Sequence, residues 1–147
     1  MSLLDKEPVQ RVEKILKEFN QSLEIIILKN SAKTAEQAAE ALSCNVGAIV
    51  KSLLFKNENG FTLCLVSGDK RCSLKNLKKI KNQKDISMAS PEEVKAQTGY
   101  TIGGVSPVGH LKIMDIYIDK SLERFKDLFA AAGHPNCVFK INLKDLK

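Results

Sequence analysis

Residues 99–109, GYTIGGVSPVG, hold four of the chain's eight glycines and one of its four prolines, so no regular helix or strand can run through them. Backbone, not side chains, is what this stretch offers. Gly103 and Gly104 lack a Cβ and can lay their amides flat against a ligand, while Pro107 restricts the exit. Such a loop can aim N–H groups at a carbonyl or phosphate oxygen. A plain turn between two strands is the alternative for a pair of adjacent glycines.

The flanking segments read as short regular elements. Val9, Val12, Leu16 and Phe19 recur at helical spacing behind Pro8, which predicts an amphipathic opening helix. Residues 23–28 (LEIIIL) form a β-branched apolar run bounded by polar residues, the pattern of a buried strand. Thr34 with Gln37 has the capping-box spacing for a second helix, whose narrow face is Ala35, Ala38, Ala39 and Leu42 and which should stop by residues 45–47. Residues 49–55 (IVKSLLF) and 61–66 (FTLCLV) flank KNENG, where Asn59 and Gly60 suit a tight reversal, and together predict a β-hairpin. Ser67, Gly68 and Asp69 turn the chain again. Ser73 can cap a helix built on Leu74, Leu77 and Ile80, with Lys75, Lys78, Lys79 and Lys81 as its other face. That face is either solvated or a landing site for phosphates.

Ser90, Pro91, Glu92 and Glu93 are a strong helix start, with a cap, a proline in the first turn and acids at the positive end of the dipole. This helix should end at Gly99. Residues 112–118 (KIMDIYI) alternate enough for a strand, and Asp119 begins a short helix. Residues 129–132 fit either a continuing helix or a strand before the turn at Gly133, His134, Pro135 and Asn136, and periodicity does not decide. Residues 138–143 close as a strand. The mixture of hairpins and helices indicates an α+β fold, and 147 residues with 44% hydrophobic composition fit one globular domain spanning residues 1–147.

One residue breaks its own pattern. By alternation Ile49, Lys51, Leu53 and Phe55 share a face of the hairpin strand, and Val50, Ser52 and Leu54 share the other. Lys51 therefore sits in an apolar row. An unpaired ammonium buried there costs several kcal/mol, so its head should reach solvent, a carboxylate or a bound anion.

Lysine and arginine outnumber acids 23 to 17, a net charge of +6 that suits a polyanionic partner without establishing one. Cys44, Cys64, Cys72 and Cys137 show no zinc spacing, and His110 and His134 are the only histidines, so no metal site or cofactor is expected. With no signal peptide and no long apolar span, reduced thiols in a cytoplasmic protein away from membranes are expected.

The segments TAEQAAEAL, IVKSLLF, LVSGD, ASPEEVKAQTGYTIGGVSPVG, YID and AAAGHPN, in this order and at these separations, resemble the YbaK/ProX family of aminoacyl-tRNA deacylases, which includes domains inserted in prolyl-tRNA synthetases. The match covers roughly residues 23–147 and leaves the opening helix, within residues 1–22, outside it. The resemblance implies a mixed β-barrel-like sheet flanked by helices, with a strand through Phe129. It implies hydrolysis in trans of the ester of a mischarged tRNA, bound by its acceptor end, in some cases with an aminoacyl-tRNA synthetase as partner.

The family's essential lysine falls on Lys51, and its GxxxP loop falls on Gly103 to Pro107. Lys51, Gly103 and Gly104 are thereby the expected catalytic residues, and Ser52, Ser106, Pro107, Asp119, Gly133 and His134 the expected substrate contacts. Ester hydrolysis needs a held carbonyl, a stabilised oxyanion and a placed water, and the resemblance implies that the substrate's ribose hydroxyl assists that water. Asp119 either orients neighbours or caps the following helix, and His134 either lines the amino-acid pocket or closes a turn. Ser52 stands where the alanine-specific branch has Asn, which weakens the case for alanine, while cysteine, alanine, serine and threonine all stay open. The competing function is a non-catalytic tRNA-binding or regulatory module of the same fold.

Overall fold

The computed structural model describes residues 6–21, 23–28, 34–57, 60–70, 77–79, 85–101, 104–112, 114–134, 136–142 and 146. In chain order the helices are α1 (Glu7–Phe19), α2 (Ala35–Leu42) and α3 (Pro91–Thr98), with 3₁₀ turns at Val46–Ala48 and Lys120–Arg124. The strands are β1 (Ile25–Ile27), β2 (Ile49–Asn57), β3 (Gly60–Ser67), β4 (Ser87–Met88), β5 (Asp115–Ile118), β6 (Leu128–His134) and β7 (Cys137–Ile141). They form one mixed sheet of order β1-β7-β6-β2-β3-β5, with β4 paired to β2 off this path. The path has two ends, so the barrel-like closure expected of the sheet is absent and the sheet is open.

Local chemistry explains most boundaries. Thr34 and Ser90 each accept a bond from the third helical residue, whose side chain returns one to the cap, so both capping boxes form. Gly99 ends α3 in the left-handed region at φ 81°. The 57/60 pair closes the β2–β3 hairpin around residues 58–59, which lie outside the described residues; Gly60 belongs to the strand rather than to the reversal. Residues 129–132 are strand, part of β6, which pairs parallel to β2 and antiparallel to β7.

The run at residues 23–28 departs from expectation. Only Ile25–Ile27 pair, with β7, and they occupy an edge of the sheet where Ile27 is 45% exposed, so this is no buried strand. Phe19, expected on the buried face of α1, is its last residue and is 59% exposed. The strand predicted over residues 112–118 begins only at Asp115. Of the lysine-rich helix, residues 77–79 are helical, with Leu77 buried and Lys79 exposed; Ser73, Leu74, Lys75, Ile80 and Lys81 lie outside the described residues.

The main core joins Val9, Val12 and Leu16 of α1 to Val50 and Leu54 of β2, Leu63 and Leu65 of β3 and the buried faces of β6 and β7. Each such fully buried aliphatic side chain contributes roughly 1.5–3 kcal/mol. The other face of β2 serves two smaller clusters. Ile49 packs with Ala38 and Ala39 of α2, and Phe55 packs with Val66, Leu77 and Ile86. Lys51 falls between those clusters, which is how a cation stands in an apolar row while remaining half-buried.

Candidate active site

The outer edge of β2 changes partner midway. Its ladder with β6 ends at Val50↔Ala130, and its pairing with β4 covers Phe55↔Met88 and Lys56↔Ser87. Between these, residues 51–53 have no strand partner on that side among the described residues. The Leu54 carbonyl accepts from Ala89 N–H on this edge, and alternation turns the Ser52 N–H and C=O the same way. A cavity of about 380 Å³ opens at the gap, large enough for a nucleoside or an aminoacyl group. Lys51, Ser52, Gly68, Val105, Ala130 and the start of α2 at Thr34 are among its lining residues.

Among the described residues the Lys51 ammonium reaches no carboxylate, and it does not simply snorkel. Its Nζ donates to the Lys70 carbonyl at 2.5 Å, leaving two further donors. That carbonyl belongs to a braced turn. Arg124 grips Asp69 through Nη1 to Oδ2 at 3.0 Å and Nη2 to Oδ1 at 2.7 Å, and also donates to Ser67 Oγ at 2.9 Å. The Ser67 hydroxyl is in turn shared between two acceptors, the Gly47 carbonyl and Asp69 Oδ1, the latter at 2.9 Å. The Arg124 hydrogen bond, followed by that from Ser67, holds the Asp69 carboxyl down at about 2. Ser52, on the opposite face of β2, also lines the cavity, and its Oγ is buried with no hydrogen-bond partner among the described residues.

The glycine loop folds onto itself above this edge. Leu111 N–H returns to the Thr98 carbonyl at 3.3 Å and Lys112 N–H to the Gln97 carbonyl at 3.1 Å, closing its mouth. Tyr100 fills the interior at 0% exposure, and its hydroxyl donates to the Val108 carbonyl at 2.7 Å. Ser106 and Pro107 are buried within the loop; the Ser106 carbonyl meets His110 Nε2 at 2.7 Å. Gly103 lies outside the described residues. Gly104, expected to aim its amide at substrate, instead donates to the Thr101 carbonyl at 3.0 Å. Its glycine identity has a packing cause, since a Cβ would lie 2.9 Å from both N and Cα of His134.

Among the residues expected to meet substrate, Ser52 lines the cavity, whereas Ser106, Pro107, Asp119, Gly133 and His134 are not among its lining residues. Asp119 caps the 3₁₀ turn, accepting from Ser121 N–H at 3.1 Å. His134 Nδ1 accepts from Asn136 N–H at 3.0 Å in the β6–β7 turn, and burial, then the Lys6 charge, lowers its pKa. Gly133, at φ 93°, is pressed against the backbone of Pro8. Pro135 lies outside the described residues. Tyr100 and the Asp69–Arg124 pair escape sequence reasoning. Arg124 joins a partner 55 positions away with no local pattern to mark it, whereas Tyr100 stood inside the glycine stretch and was masked by it. Among the described residues, no three His, Cys, Asp or Glu side chains cluster as a metal site, and no helix is long and apolar enough to cross a membrane.

Comparison with known families matches residues 29–147 to the aminoacyl-tRNA editing domain. The chain belongs to that family. This editing domain is 35% identical to protein YwhH of Bacillus subtilis over 130 residues, 88% of the chain and 82% of the relative. It is 31% identical over 101 residues to EbsC of Enterococcus faecalis, named as a candidate Cys-tRNA(Pro)/Cys-tRNA(Cys) deacylase, covering 68% of the chain and 62% of that protein. It is also 38% identical over 116 residues to the proline–tRNA ligase of Thermosipho africanus, covering 79% of the chain and only 20% of the ligase. A solved structure described as a candidate trans-editing enzyme for prolyl tRNA synthetase superposes with a TM-score of 0.90 at 37% identity, covering 96% of this chain and 90% of that one. Editing is hydrolysis of the ester joining amino acid to tRNA, so the domain is an aminoacyl-tRNA deacylase.

Proposed function

We propose that the chain acts in trans on tRNA(Pro) carrying a wrong small amino acid, with the acceptor end entering the cavity at the open edge of β2. The observation that carries this is the gap itself: a cavity of about 380 Å³ lined by Lys51, Ser52 and the loop residue Val105. Lys51, released from the Lys70 carbonyl or using its free donors, anchors the terminal adenosine or its phosphate. Ser52 offers its hydroxyl to a polar group of the substrate, and the amides around Gly103 receive the carbonyl. Water adds to that carbonyl, the bond to the ribose oxygen breaks, and free amino acid and uncharged tRNA leave. The ester is already activated, so holding the carbonyl and stabilising its developing charge suffice. The cytoplasm, where tRNA is charged, is the proposed location, and a prolyl-tRNA synthetase the proposed companion.

The experiment is a panel of tRNA(Pro) charged with alanine, cysteine, serine, threonine or proline, followed for loss of the ester. At least one non-cognate ester should be hydrolysed well above its spontaneous rate, and prolyl-tRNA spared. No acceleration for any of them would leave a tRNA-binding module and end the catalytic reading.

A further inference from the structure

We propose that Arg11, on α1 and outside the matched residues 29–147, is a positioning residue of the editing site: it clamps both ends of the glycine loop. The proposal rests on the deacylase reading for its effect on rate, but its geometry stands apart from it. Arg11 Nε donates to the Gly109 carbonyl at 2.8 Å, and Nη2 reaches the Thr98 carbonyl at 3.3 Å. Thr98 is the last residue of α3 and Gly109 the last glycine of the loop, so a single guanidinium spans entry and exit. Nη1 is held by Glu7 at 2.7 Å, which fixes the plane of the fork. The same group lies 4.7 Å from the ring centroid of Tyr100, the side chain that fills the loop.

The helix touches the loop's other support as well. One turn before Arg11, the backbone of Pro8 backs Gly133, where a Cβ would lie 2.8 Å from its carbonyl carbon and oxygen. The next residue, His134, is the surface on which Gly104 packs. The loop is thus held between the Arg11 fork and the β6–β7 turn, and α1 braces both. Arg11 is not itself among the lining residues of the cavity, so its role is to fix where Val105 and the neighbouring amides stand relative to the edge of β2. A lysine cannot replace it, because one ammonium on a flexible stem lacks the planar fork that meets two carbonyls and stacks on a ring.

The test compares wild type, Arg11→Ala and Arg11→Lys by amide hydrogen exchange and by single-turnover hydrolysis of the preferred charged tRNA. Exchange at Tyr100, Leu111 and Lys112 should quicken at least about tenfold in Arg11→Ala, while Leu63 and Leu65 of β3 stay as in wild type. The hydrolysis rate should fall roughly 10- to 100-fold, as expected for a displaced loop, with tRNA affinity within about twofold. Arg11→Lys should sit between the two in both measurements. Unchanged loop exchange would overturn the clamp, and equal quickening in β3 would make Arg11 a residue of the core only. Should Arg11→Ala fail to fold, a folded Arg11→Lys with wild-type exchange and rate would overturn it equally. If wild type itself hydrolyses no charged tRNA, the functional reading falls while loop exchange still decides the clamp.

Discussion

Lys51 is held by a carbonyl rather than by an acid, and this governs its response to substitution. In Lys51→Ala no carboxylate among the described residues loses a partner, and the Lys70 carbonyl, on an exposed turn, can take water instead. Stability should change by no more than about 1 kcal/mol, whereas hydrolysis should collapse for want of the anchor. Lys51→Arg keeps the charge but replaces a compact ammonium with a wide fork, so it should restore little activity. Thermal melts beside single-turnover deacylation separate the two roles; normal turnover by Lys51→Ala would remove it from the site, and unfolding would make it structural. The position of this lysine was legible because alternation is strict along a strand. Its partner was not, since the Lys70 carbonyl is supplied by a turn 19 residues away that the pattern of β2 cannot report.

At the scale of elements, what could be read was what is encoded locally. Ser90 with Glu93 and Thr34 with Gln37 carry their own helix starts in four residues, and both formed as expected. Ser90→Ala should therefore destabilise by about 1 kcal/mol, seen as a lowered melting temperature with the site's chemistry intact. Illegible features depend on which neighbour arrives. The three isoleucines of β1 look like a central strand, yet among the described residues only β7 pairs with them, and the gap in β2 exists because β6 leaves before β4 arrives. Gly104 belongs to this second kind. Beyond the amide that the sequence leads one to expect there, its missing Cβ makes room for the backbone of His134. Backbone cannot yield as a side chain tip can, so Gly104→Ala should cost roughly 1–3 kcal/mol and shift the loop. The expected readout is a lower melting temperature together with slower hydrolysis; wild-type values for both would mean that the loop and the β6–β7 turn are not in contact in solution.

For the whole molecule, the titrating groups that folding perturbs make stability fall in two steps as acid is added. His110 and His134 are both lowered from 6.5, first by burial, and so bind protons more readily in the unfolded chain. Their contribution is present above 6.5 and is lost as pH falls from there through their folded values. The second step belongs to carboxylates. Asp69 drops from 3.8 to about 2 under Arg124, and Glu93 lies below its ordinary 4.5, chiefly through the Ser90 backbone N–H. Depressed acids contribute stability above their unfolded values and lose it as pH falls toward their folded ones, so this limb runs from about 4.5 down to about 2. The pairs are solvent-facing, so each effect should be modest and should shrink in high salt. Melting temperatures measured from pH 8 to pH 2.5 should then decline on both limbs. His110→Gln should flatten the upper limb, since a neutral side chain has no proton to gain, and Asp69→Asn the lower one. Because His110 directly follows the glycine loop and contacts its Ser106 carbonyl and Tyr100 ring, its protonation should also quicken exchange at Tyr100 and Leu111 before the rest of the sheet responds. A profile equally steep with and without His110 would show that the loop does not sense this proton.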